Sequence, residues 1–118
     1  MTGVWAVKAA TAGEYLAPVS FAAPLPAAIA STDVHYVGSG ATPPECENAA
    51  RPGTGSVTNP EAAAGEFCIY SSAGFGGTFL YSIDAGETEE GIGTHGGVLA
   101  FDMTVAGSSG FGSWAVSE

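Results

Sequence analysis

The stretch Cys46–Cys68, CENAARPGTGSVTNPEAAAGEFC, decides how this chain folds, because it separates two blocks of strand-like sequence. It holds both cysteines of the chain, its sole arginine and several turn-forming residues: Pro52, Gly53, Gly55 and Pro60. Structureless loops of this length are uncommon in compact domains, and a disulfide that closes the loop 46–68 explains this one. Such a bridge stabilises a fold by about 3 kcal/mol in the loop-entropy model. The alternative is a pair of reduced, buried cysteines.

The composition narrows the class of protein and the class of partner. The length of 118 residues predicts a single domain, residues 1–118, with a modest core of its own. Twelve acidic and two basic residues give a net charge of −10. This balance argues against nucleic acid and against an anionic membrane surface, since both need clustered Lys and Arg. Apolar runs are too short to span a bilayer, so we expect no membrane insertion.

The residue types and their alternation predict an all-β fold. The chain has 18 glycines and 7 prolines with many Ser, Thr, Val and aromatic residues, a mixture typical of short strands joined by turns. Residues 98–105 are a strand candidate of eight residues and place Leu99, Phe101, Met103 and Val105 on one face. The other strand candidates are 2–9, 19–21, 32–37, 66–70, 78–83 and 110–117, with 66–70 and 78–83 predicted to form a hairpin.

The two ends of the chain repeat one pattern, Gly-x-Trp-Ala-Val, at residues 3–7 and 112–116. Two strands of like composition at the termini predict antiparallel neighbours, as in jelly rolls, whose first and last strands lie side by side. The first strand is apolar on both faces, Val4 and Ala6 against Trp5 and Val7, which predicts that it lies inside the sandwich or against a neighbouring subunit. We therefore expect an antiparallel, jelly-roll-like β-sandwich. Core or subunit-interface positions are Trp5, Val7, Phe101, Trp114 and Val116.

Catalytic and metal-binding patterns are weak. Asp33 and His35 project from the same face of a predicted strand, so a carboxylate could orient an imidazole, but spacing nominates no nucleophile for a triad. His95 is interpreted as a loop residue. The acidic loop 84–90 (Asp84, Glu87, Glu89 and Glu90) lacks the alternating ligands of an EF-hand, and a solvated turn is favoured over a calcium site. We expect no enzyme activity, no cofactor and no metal.

The order of motifs resembles a known domain type. An opening TGxWAV, then VHYVG, then TNPEAAAGEFCIY and a closing GSWAV are similar to the C-terminal globular domains of bacterial, especially actinobacterial, collagen-like surface or secreted proteins. Their middle motif reads approximately C-P-G-(loop)-N-P-x-A-x-P-G-x-L-C-x-Y. The chain departs from it at 47–48, at Ala64 in place of proline and at Phe67 in place of leucine. The matching positions are Cys46, Asn59, Pro60, Ala62, Gly65, Cys68 and Tyr70. The resemblance implies a β-sandwich head on a Gly-x-y stalk, assembled as a homotrimer.

These observations favour a non-enzymatic structural, assembly or adhesion head at the cell surface or outside the cell, with a glycan or another cell-surface molecule as a further partner. Loops 38–65 and 84–97 are expected to form its outward surface. One disulfide fits an oxidising compartment. Two alternatives stay open: a virion fibre-tip protein, and a carbohydrate-binding module that uses the aromatic residues Tyr36, Tyr70, Phe75 and Tyr81.

Overall fold

The computed structural model describes residues 1–48 and 55–118, so part of the predicted loop, residues 49–54 with Arg51, lies outside the described residues. Within the described ranges the chain forms nine strands and two short 3-10 helices, Ser31–Asp33 and Pro44–Cys46. The strands are β1 Thr2–Lys8, β2 Gly13–Ser20, β3 Ile29–Ala30, β4 Val34–Gly38, β5 Phe67–Ser71, β6 Gly77–Asp84, β7 Gly91–Ile92, β8 Gly96–Met103 and β9 Ser109–Val116.

The strands form two packed sheets and one short pair. Sheet A has the order β1-β9-β5-β4, sheet B has the order β2-β8-β6, and β3 pairs with β7. The first strand pairs with the last, the second with the second-last and the third with the third-last, all antiparallel. This nested pairing is that of a jelly-roll-like sandwich. The predicted all-β class, the sandwich and the adjacent first and last strands are confirmed.

One pair departs from the antiparallel prediction, because β4 and β5 run parallel. A parallel pair cannot be joined by a tight turn and needs a crossover of a dozen or more residues. Residues 39–66 make that crossover. The length of the loop is therefore explained by strand direction as well as by its disulfide.

The repeated Gly-x-Trp pattern has a reciprocal structural role. In the β1–β9 register Gly3 lies opposite Trp114, and Trp5 lies opposite Gly112. A Cβ atom on Gly3 would collide with the indole of Trp114, and one on Gly112 would meet the indole of Trp5. Each glycine thus leaves room for the other strand's tryptophan ring. The sequence echo is a pairing signal for the two terminal strands.

The core fills the space between the two sheets. Trp5 stacks on Phe101 with ring centroids 4.4 Å apart, and Phe67 stacks on Trp114 at 5.7 Å. The structure places all five residues predicted for core or interface in this buried cluster: Trp5, Val7, Phe101, Trp114 and Val116. None of these side chains is available on the surface of the single chain, so an interface has to be sought elsewhere.

Three local predictions are wrong. Residues 13–20 form a full strand, β2, in place of the short strand predicted at 19–21, since Pro18 lies on a sheet edge where its missing N–H costs no ladder bond. Strand β8 ends at Met103, and Val105 is exposed in the turn that follows. Strands β5 and β6 belong to different sheets and form no hairpin, because the Gly-rich segment 72–76 carries the chain across the sandwich.

Candidate functional site

The long loop is attached to the outer face of sheet A by the predicted disulfide. Cys46 ends the second 3-10 helix, and Cys68 lies on β5, with Cα atoms 5.8 Å apart. Both residues are fully buried. The disulfide prediction is confirmed, and the alternative of two reduced cysteines is wrong.

Tyr70 extends this attachment one strand position further. Its side chain points to the same outer face as Cys68 and is fully buried beneath the loop. Its hydroxyl lies 3.0 Å from the carbonyl oxygen of Cys46 and 2.6 Å from that of Glu61, and these two acceptors share its single proton. Burial raises the pKa of Tyr70 above the usual value for a phenol. A buried polar tip therefore joins two segments of the loop to the sheet.

Further hydrogen bonds fix the loop along β5 and β9. The Ser113 hydroxyl donates to the carbonyl of Val57 over 2.7 Å, and the amide of Gly65 donates to the carbonyl of Ser117 over 2.8 Å. Val37, Val57 and Ala62 pack on the disulfide and Tyr70 as a second, smaller core. We call the part of the outer face under this loop, around Cys68, Tyr70 and Ser113, the covered half.

The rest of the outer face of sheet A is bare. Val4 on β1 is 80% exposed and Phe111 on β9 is 62% exposed, and both project from the same face as Ser113 and Tyr70. Ala6 lies directly opposite Phe111 and is exposed as well. We call Val4, Ala6 and Phe111 the bare half. The apolar second face predicted for the first strand is therefore not buried within the chain.

Sequence reasoning singled out Val4 and Ala6 but missed Phe111. The signal was available, because the side chains of a strand alternate in direction. Trp114 faces the core, so Phe111, three residues earlier, has to face outward. Phe111 therefore joins Val4 and Ala6 as an exposed apolar residue on the same face of sheet A.

His35 has a different partner from the one predicted. Asp33 lies in the first 3-10 helix, because the strand starts only at Val34, and it does not share a strand face with His35. The imidazole Nε2 of His35 instead lies 2.6 Å from the carboxylate of Glu66. This contact joins β4 to the residue that precedes β5. His95 lies in an exposed turn with its ring nitrogen 3.1 Å from the Thr94 hydroxyl.

The acidic loop is organised by its own hydrogen bonds. The Asp84 carboxylate accepts bonds from the Thr88 amide at 2.7 Å and the Thr88 hydroxyl at 2.6 Å, and a longer one from the Glu89 amide. The hydroxyl bond first, then the amide bonds, lower the pKa of Asp84. Across residues 1–48 and 55–118, no group of three or more His, Cys, Asp or Glu side chains is placed to hold a metal ion.

The four aromatic residues considered for glycan binding are not assembled into one platform. Tyr36 and Phe75 pack against the main core, and Tyr70 is buried under the loop. Tyr81 lies on the outer face of sheet B, where its hydroxyl donates to Glu14 over 3.4 Å. These side chains therefore occupy three separate environments.

The comparisons with known proteins give no relative. No protein-family model, no curated protein and no solved structure matches the chain. In the described ranges the chain also forms no helix that is both long and apolar enough to cross a membrane.

Proposed function

We propose that this chain is a non-enzymatic structural head that works through surface contact, as an assembly or adhesion module. One observation carries the proposal: the bare half of sheet A exposes Val4 and Phe111 beside a half that the chain covers with its own loop. Large apolar side chains grouped on one face of a soluble domain are typical of contact surfaces.

The charge distribution supports the same function. All twelve acidic residues lie outside β1 and β9, the two strands that carry the bare half. Two chains of net charge −10 repel one another, so the surface by which they approach should be free of carboxylates. The bare half meets this condition. Self-association through it agrees with the expectation, from the resemblance to collagen-like surface proteins, that the head is an oligomer.

We place the module outside the cell or on a cell surface. A buried disulfide supports this location, since such bonds persist in oxidising compartments. A virion fibre tip would present the same architecture and the same contact surface. The glycan-binding alternative would need the four aromatic residues to form one platform, and they lie in three separate environments.

The oligomeric state tests the assembly role. We expect size-exclusion chromatography with light scattering to show wild-type protein above the monomer mass in a concentration-dependent way. Phe111→Glu, which adds a carboxylate to the bare half, should shift the population toward monomer. Leu80→Glu is the matched control, because Leu80 is 46% exposed in sheet B. A wild-type chain that stays monomeric at every concentration would contradict the assembly role.

A further inference from the structure

Strand β1 presents an open hydrogen-bonding edge. Met1 and Ala9 exchange backbone hydrogen bonds with the segment that contains β9, between 2.7 and 2.9 Å long. In antiparallel pairing the bonded residues alternate, so the odd-numbered residues of β1 direct their N–H and C=O groups to β9. The even-numbered residues direct theirs to the other side. These are Thr2, Val4, Ala6 and Lys8, and no described strand lies on that side of β1.

The neighbouring edge, that of β2, is protected where β1 is not. The Phe21 amide bonds the His95 carbonyl, so the same alternation directs the even-numbered residues of β2 to its open edge. Pro18 is one of them and has no N–H to offer a further strand. Glu14 adds a negative charge to that edge. Natural sheets use proline and charge in this way against edge-to-edge association.

The open edge of β1 has neither form of protection over residues 2–7. Its donors and acceptors are complete, Val4 and Ala6 beside them are exposed and apolar, and Lys8 is the one charged residue of the strand. An edge of this kind is complementary to a copy of itself, because each residue offers one donor and one acceptor. A second copy also brings no carboxylate on β1 or β9 to oppose it.

We propose that the partner on the bare half is a second copy of this chain, joined to the first through antiparallel pairing of β1 with β1. This inference rests on the proposed assembly function and specifies its contact. The pairing that uses all four open residues has its two-fold axis at Trp5, with Val4 opposite Ala6 of the second copy and Thr2 opposite Lys8. Sheet A of each copy then continues into the other, and the two bare halves form one apolar strip.

This contact has an expected strength and symmetry. A single strand pair with a narrow apolar flank lies at the low end of interface sizes, below about 1,200 Å². We therefore expect a dimer that dissociates on dilution. A two-fold axis between identical strands gives a closed dimer and uses the edge completely, so it differs from the trimer implied by the family resemblance.

A proline on the open edge tests the pairing. Ala6→Pro removes one open N–H without touching the bonds to β9, and so gives β1 the protection that Pro18 gives β2. Leu16→Pro, at an open position of β2, is the matched control. Sedimentation velocity over a hundredfold concentration range should show dimers for wild type and Leu16→Pro, and monomers for Ala6→Pro. Near-ultraviolet circular dichroism checks that each variant keeps its tryptophan packing, and Phe111→Glu serves as a second test if Ala6→Pro does not fold.

Cross-linking reads the register. Directly paired residues of an antiparallel pair are about 5.5 Å apart between Cα atoms, which suits a disulfide. Val4→Cys and Ala6→Cys mixed together under oxidising conditions should give a cross-linked heterodimer in at least tenfold excess over either homodimer. Either homodimer dominating would overturn this register.

The outcomes separate the two proposals. Dimers that survive in Ala6→Pro, or a wild-type trimer insensitive to it, would overturn the β1 pairing and leave the assembly function standing. A wild-type chain that is monomeric throughout would overturn both.

Discussion

The covered and bare halves of sheet A lie side by side on one face, yet they differ in what contacts them. In the covered half, Cys68 and Tyr70 lie beneath a loop held by a disulfide and by hydrogen bonds. In the bare half, Val4 and Phe111 contact little of the same chain. The backbone is continuous β9 structure between them, since Ser113 belongs to one half and Phe111 to the other.

The difference shows how the chain divides one face between stability and contact. A sheet face that carries apolar side chains needs a cover, and the crossover between β4 and β5 supplies one only as far as β9. Changes in the covered half should therefore lower the stability of the monomer. Changes in the bare half should alter association and leave the monomer nearly unaffected.

Removal of the disulfide should have the largest effect. We expect the double variant Cys46→Ser/Cys68→Ser to lose about 3 kcal/mol of unfolding free energy, because the unfolded chain regains the entropy of an open loop. Urea denaturation followed by tryptophan fluorescence measures this loss. Hydrogen exchange should accelerate in residues 39–48 and 55–66, while β1 and β9 stay protected.

Chemical reduction of the wild-type protein is the control for the two serine side chains and should give the same loss. If the unfolding free energy of the double variant lies within about 0.5 kcal/mol of the wild-type value, the loop is held in place without its disulfide. The covered half would then not owe its stability to the bridge.

Tyr70→Phe should have the next largest effect. The change keeps the ring but removes the hydroxyl that donates to the carbonyls of Cys46 and Glu61. Loss of a buried hydrogen bond that leaves an acceptor unsatisfied costs about 1–3 kcal/mol. Urea denaturation measures it, and Tyr81→Phe on the exposed face of sheet B is the matched control, expected to change stability by less than about 0.5 kcal/mol.

The same residue predicts a loss of stability at alkaline pH. The Tyr70 phenol ionises near pH 10.0 in an unfolded chain and at higher pH in the folded protein, where burial disfavours the phenolate. Its contribution is therefore complete below pH 10 and is lost as the pH rises through the folded pKa. Between pH 9 and 11 the stability of wild type should fall more steeply than that of Tyr70→Phe. Parallel curves would contradict this assignment, since Tyr15 and Tyr81 titrate in both proteins.

Substitution in the bare half should have the smallest effect on the monomer. Val4→Ser and Phe111→Ser remove apolar groups that are already mostly in water, so the unfolding free energy should change by no more than about 0.5 kcal/mol. Urea denaturation at high dilution, where the monomer dominates, measures it. A loss above about 2 kcal/mol from either variant would show that these side chains contribute to the fold of the single chain.

Parts of the fold could be predicted from the sequence where a pattern of side chains was compatible with a single pairing of segments. The Gly-x-Trp echo predicted the pairing of the termini, and the structure explains it by the fit of Trp5 over Gly112 and Trp114 over Gly3. The disulfide was predicted from an otherwise unexplained loop. Both signals report contacts between distant segments, and both depend on few residues.

Other features of the fold could not be predicted, because the alternation of apolar and polar residues along a strand does not show which strands lie beside it in the sheet. Nothing in the residues 34–38 reveals a parallel partner, and the strand predicted at 19–21 proves to begin at Gly13 as the edge strand β2. The bare half was predicted in part. The sequence showed that β1 has a second apolar face, with Val4 and Ala6, and that this face needs a contact of its own. The sequence does not show whether a loop or another molecule covers that second face. The answer depends on how far the loop between β4 and β5 extends over sheet A, and this is decided only by the folded arrangement of distant segments.

The pairing of β1 with β9 also determines when the sandwich can form during synthesis. Thr2 pairs with Ala115, so the first strand made has to wait for the last before it gains its neighbour. Contacts this distant along the chain slow folding, and unpaired apolar strands are exposed to association in the meantime. We expect β1 to stay accessible on the ribosome until β9 has emerged.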